Sequence, residues 1–126
     1  IKRLVGIKGS EYISKPEKRG GEDMGYDAIF TIVDKWLAED VLEAAKSAGS
    51  TGGTVIHGRG SGVHEKAKLF NIEIEPEKEI VLILSETAKT DYIVEAIKEK
   101  LNIDKPGAGI LFVLDVNRTS GLISQN

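Results

Sequence analysis

Apolar side chains alternate along YDAIFTIVD (26–34), with Ala28, Phe30 and Ile32 on one side and Ile29, Thr31 and Val33 on the other, which predicts a strand. WLAEDVLEAAKSAG (36–49) changes period: Leu37, Val41, Ala44 and Ala48 share one helical stripe, Glu39 and Asp40 sit early, and Gly49 follows as a stop. Residues 54–57 predict a short strand between Gly52, Gly53 and Gly58, and EIVLILS (79–85) a stronger one. A second helix follows, capped by Thr87 or Thr90 and striped by Ile93, Ala96, Ile97 and Leu101, until Asp104, Pro106 and Gly107 break it. ILFVLDV (110–116) is the last strand. The order is β-α-β, an irregular stretch, then β-α-β. It predicts an α+β fold of the ferredoxin-like βαββαβ kind (split βαβ), a four-stranded antiparallel sheet with two helices on one face. A helix over residues 64–70 would instead give an open parallel sheet, but its apolar positions are few and Pro76 interrupts the return.

IVLIL and ILFVL are apolar at every position, whereas a sheet with one wet face alternates. Two helices cover one face of four strands. The other face therefore needs a cover from outside the domain, and copies of the chain are the simplest source, which predicts a closed, cyclic homo-oligomer. The competing cover, residues 1–27 folded back, is polar and rich in Gly, Lys and Glu.

With 126 residues, 40% of them hydrophobic, the chain suits a single globular domain. Its net charge of −3 supplies no positive field for a nucleic-acid backbone. Apolar runs of about five residues are far short of the ~20 that span a bilayer, and a cytoplasmic location is expected. There is no cysteine, so disulfides and thiolate chemistry are absent.

The most unusual stretch is TGGTVIHGRGSG (51–62), with five glycines around one short strand. It is not a P-loop: Arg59 and Gly60 stand where lysine and Ser/Thr belong, and the strand lies inside the motif. No helix opens after Gly58, Gly60 and Gly62 to make a dinucleotide fingerprint. A ligand cradle and a loop hinge both remain open on these residues. His57 and His64, with Glu65, offer a divalent metal mixed ligands, although histidines beside a glycine loop are more often solvated. Glu73, Glu75, Glu77 and Glu79 alternate as a wet strand face or loop arm. No nucleophile with a plausible base stands out, Ser61 beside His64 being a loop coincidence, and no enzymatic role is expected. Trp36 and Phe112 fit core or interface anchors better than stacking platforms.

TGGTV at 51–55, GRGSG at 58–62, PEKEIVLIL, PGAG at 106–109 and ILFVLDVNR at 110–118, in this order and spacing, resemble the P-II nitrogen regulatory signal-transduction family over residues 26–122. The resemblance implies a trimer of ferredoxin-like domains that regulates a target protein through a long loop, the T-loop, here residues 63–78. It also implies an adenine nucleotide (AMP, ADP or ATP) in the clefts between subunits. Carried over, Thr54, Gly58, Arg59, Gly60 and Gly62 line the nucleotide with Gly107, Ala108 and Gly109 of the loop before the last strand, and with Arg118 beyond it.

The departures are equally specific. The acid and lysine positions of the 107–110 loop hold Ala108 and Ile110, the two arginines after the last strand fall on Gly121 and Ile123, and the arginine and glutamine that open the T-loop fall on Val63 and His64. Tight ATP binding and a metal-bridged 2-oxoglutarate site lose their usual ligands, and a loop without tyrosine offers no acceptor for the familiar nucleotidylation. A metal-binding trimer of the same fold, or a structural domain without a ligand, are the alternatives. IKRLVGI (1–7) echoes VNRTSGL (116–122), so residues 1–25 are expected to be a linker carrying the end of an upstream domain of the same kind, with 123–126 a tail.

Overall fold

The computed structural model describes residues 25–61, 67–69 and 72–122. Its elements are β1 (Tyr26–Asp34), α1 (Ala38–Ser47), β2 (Thr54–Arg59), β3 (Ala67–Leu69), β4 (Ile72–Ile74), β5 (Glu77–Glu86), α2 (Thr87–Leu101) and β6 (Ile110–Val116). Four strands form one antiparallel sheet in the order β2-β5-β1-β6, and β3 pairs with β4 in a separate small hairpin. This is the expected ferredoxin-like fold. The helix weighed over residues 64–70 is excluded, because its middle is strand β3. No helix among the described residues is long and apolar enough to cross a membrane.

Parity along the strands decides what each face does. Along β1 and β5 the odd-numbered positions are buried: Ile29, Thr31, Val33, Glu79, Val81 and Ile83 lie beneath the helices. Val41, Ala44 and Ala45 of α1 and Ile93 and Ile97 of α2 close this core. The even positions, with their partners on β2 and β6, carry Phe30, Ile56, Ile80, Leu82, Leu84, Ile110, Phe112 and Leu114 on the opposite face. There Ile110 is 58% exposed and Leu114 53%. Phe30 and Phe112 stack at 5.0 Å between ring centroids without closing that face. Each large apolar side chain left in water forgoes about 1.5–3 kcal/mol of burial.

Three local details depart from the sequence reading. Neither Thr87 nor Thr90 caps α2: Glu86 holds the cap position with no side-chain bond, and Thr90 is buried, donating to Asp27 Oδ2 at 2.7 Å. The hydroxyl ties the start of β1 to α2 instead. Helix α2 ends at Leu101, before Asp104, because Asn102 turns left-handed and its N–H bonds back to Lys98 O. Of the two roles read for Trp36, core or interface anchor, the core is excluded, since the residue is 77% exposed with Lys35 Nζ 4.7 Å above its ring.

One core position is imperfect. The Thr31 hydroxyl is fully buried with no hydrogen-bond partner among the described residues. Thr31→Val keeps the shape and removes the unmatched hydroxyl, so urea unfolding should show a gain of about 1 kcal/mol. A loss would mean that the hydroxyl has found an acceptor.

Candidate functional site

The sheet delivers three of the candidate segments to one end. β2 finishes at Arg59 opposite Glu77, β1 finishes at Asp34 opposite Lys78, and β6 begins at Ile110 opposite Ile32. Gly58 to Gly60 therefore lie at one edge of this end and Gly107 to Gly109 at the other, with β5 and β1 between them. Gly60 N–H donates to Pro76 O at 3.1 Å and closes the base of the intervening loop. Since β5 starts at Glu77, the loop read as 63–78 gives its last two residues to the sheet.

The candidate residues do not all meet. Thr54 and Gly58 pair with Leu82 and Lys78 on the open face, while Arg59 pairs with Glu77 on the helix side. Arg118 follows the far end of β6, where Val116 lies opposite Tyr26. Within one chain it is at the other end of the sheet from the loop base. Gly62, like His64 and Glu65, lies outside the described residues. A depression at the Arg118 end is lined by Thr51, Leu84, Ser85, Glu86, Lys89 and Leu122, among others.

Glycine serves packing at some of these positions and not at others. A Cβ on Gly53 would sit 2.9 Å from Leu42 Cδ2, 3.0 Å from Ile83 Cγ1 and 3.1 Å from Leu82 O, so the start of β2 reaches the core only as glycine. A Cβ on Gly109, where φ is +146°, would meet Ile32 O at 2.8 Å. A Cβ on Gly58 would make only an ordinary contact with Ile80 Cδ1 at 4.0 Å, Gly60 faces open space, and neither has a left-handed backbone. Neither their packing nor their dihedrals within this chain requires glycine there.

Charge at the loop base is ordered by face. On the open side Lys78 is mostly covered, its side chain 12% exposed, and its Nζ lies 2.6 Å from Asp34 Oδ1. Sequence reading missed it, since it stood as one spacer in an alternating glutamate run; the signal was its parity with Thr54 and Gly58. On the helix side Glu77 accepts Lys35 Nζ at 2.7 Å, with Arg59 Nη2 3.9 Å from its other oxygen. The Lys35 hydrogen bond and charge hold the Glu77 carboxyl below its usual range. A depressed carboxylate stabilises at neutral pH, and that contribution is lost as acid protonates it.

Glu79 is the second residue the sequence concealed. It is buried on β5, and its Oε1 accepts the N–H of Trp36 at 3.0 Å and of Ala38 at 2.9 Å. Leu37 offers no side-chain cap, so a carboxylate from the sheet caps α1. That bond also holds Trp36 in the left-handed region, at φ +81°. Oε2 faces His57 Nδ1 at 3.8 Å across the strand pair.

A family model described as nitrogen regulatory protein P-II matches residues 26–124. Among solved structures, the chain is similar to the B. subtilis GlnK-ATP complex, with TM-score 0.58 and 19% identity, over 74% of this chain and 85% of that one. A second B. subtilis GlnK structure gives TM-score 0.56 and 20% identity, over 74% and 86%. No curated protein matches.

Proposed function

The chain belongs to the nitrogen regulatory protein P-II family, and from that premise we propose that it is a non-enzymatic, cytoplasmic signalling regulator. It assembles as a trimer through the open sheet face, binds an adenine nucleotide between subunits, and contacts a target protein through the loop at 63–78. One observation carries this reading. The open sheet face leaves Ile56, Leu84, Ile110, Phe112 and Leu114 exposed in the single chain, and the site residues are split between the two ends of that sheet. A second copy both covers the face and supplies the missing end of the site, bringing Arg118 of one subunit toward the loop base of another.

The open space at Gly60, and the absence of any contact closer than 4.0 Å at Gly58, suit close approach of a phosphate to backbone N–H groups. Lys78, on the same face as Gly58, is the cation best placed to meet that charge, exchanging Asp34 for phosphate. Because Ala108 and Ile110 supply no charge in the opposite loop, the site favours a nucleotide with fewer phosphates than the ATP held in the B. subtilis GlnK complex. An effector switches the loop only by binding one loop state better than the other.

Calorimetry with AMP, ADP, ATP and cyclic AMP tests the nucleotide. AMP or ADP should bind more tightly than ATP, and Lys78→Ala should weaken binding about 10- to 100-fold, as for the loss of one charged hydrogen bond. Heat from none of the four would rule out an adenine-nucleotide site.

A further inference from the structure

We propose that His57 and Glu79 form the protein-supplied half of a divalent transition-metal site, on the helix side of the sheet and apart from the nucleotide cleft. Glu79 has the features of a prepared ligand. Its side chain is 8% exposed, Oε1 is occupied by two backbone N–H groups, and Oε2 is left to face the imidazole. Hydrogen bonds of this kind behind a ligating carboxylate fix its orientation toward the metal.

The distances suit a shared ion. Two ligands with bonds of about 2.0–2.1 Å stand roughly 3–3.4 Å apart around one metal, and His57 Nδ1 is 3.8 Å from Glu79 Oε2. The imidazole is 72% exposed, so a small turn of its ring closes the gap and solvent can complete the coordination. One imidazole with one carboxylate selects Zn²⁺, Ni²⁺ or Cu²⁺ over Mg²⁺ and Ca²⁺. The ion would brace β2, which leads into the loop, against the carboxylate that caps α1. It therefore ties the loop's base to the helical layer. Nothing in this site depends on nucleotide, so its test is separate from calorimetry with nucleotides.

The chain is titrated with Zn²⁺, and then with Mg²⁺, while calorimetric heat and the His57 ring resonances in NMR spectra are followed. One saturable Zn²⁺ site per chain is expected, with His57 shifting in step with the heat, no response to Mg²⁺, and reversal by EDTA. His57→Ala should weaken Zn²⁺ at least about tenfold. Glu79→Gln should do the same while keeping the fold, because the amide oxygen still accepts the Trp36 and Ala38 N–H groups. If that variant unfolds, His57→Ala decides alone. Zn²⁺ heat that persists unchanged in His57→Ala, or a titration that leaves the His57 ring unmoved, overturns the site.

Discussion

Replacing Phe112 by aspartate is expected to abolish self-association, the largest effect that one side chain can have on this protein. Phe112 lies on the open face, stacked on Phe30 and flanked on its own strand by Ile110 and Leu114. In the assembly a carboxylate there would be enclosed by apolar surface with no partner. Burying an unpaired charge costs several kcal/mol in practice, comparable to the gain from the side chains that the interface covers. The helix-side core does not include Phe112, so the subunit should keep its circular dichroism while light scattering behind size exclusion reports a single-chain mass. Glu95→Gln, on the exposed surface of α2, is the control and should leave the assembly intact. An assembly unchanged by Phe112→Asp would mean that some other surface joins the subunits.

Gly109→Ala is the second large effect, and it falls on the fold. The added methyl would sit 2.8 Å from Ile32 O, 3.1 Å from Val33 Cγ1 and 3.3 Å from Ile103 Cδ1, at a φ of +146° that side chains rarely adopt. The nearest atom is backbone of the central strand and cannot rotate away. A loss of about 3 kcal/mol or more is expected in urea unfolding. Gly107 is the internal comparison, because its φ is +83° but a Cβ there meets nothing within 4 Å. Gly107→Ala should cost only about 1–2 kcal/mol, the penalty of the left-handed backbone alone. Equal costs at the two positions would refute the steric explanation.

The sequence revealed most of the fold because period and parity are local properties. Alternation in YDAIFTIVD and the unbroken apolar run in ILFVLDV mark strands whose ends match the structure within a residue, and the two-faced hydrophobicity of the last strand by itself betrays the uncovered face. The ends of α2 were less legible. Thr90 reads as a cap from composition, but a buried Asp27 that is distant in sequence claims its hydroxyl. Asn102 can turn left-handed and end a helix as glycine does, ahead of the proline that looked like the stop.

The site was less legible than the fold, because it depends on registry between strands. Glu77, Lys78 and Glu79 read as a uniform alternating run, yet strand pairing separates their roles. Glu77 forms an ion pair with Lys35, Lys78 stands on the open face against Asp34, and Glu79 caps α1. Trp36 reads as a core or interface anchor, and the structure excludes the core. Here the Glu79 bond to its own N–H helps set a backbone turn that leaves the indole in water.

Sedimentation equilibrium of the unmodified chain, carried down to low micromolar concentration, tests most directly whether the apolar sheet face is an interface between copies. One species of three times the 13.7 kDa chain mass is expected. A well-folded, monodisperse species of 13.7 kDa would contradict the interface, and would take the inter-subunit nucleotide site with it.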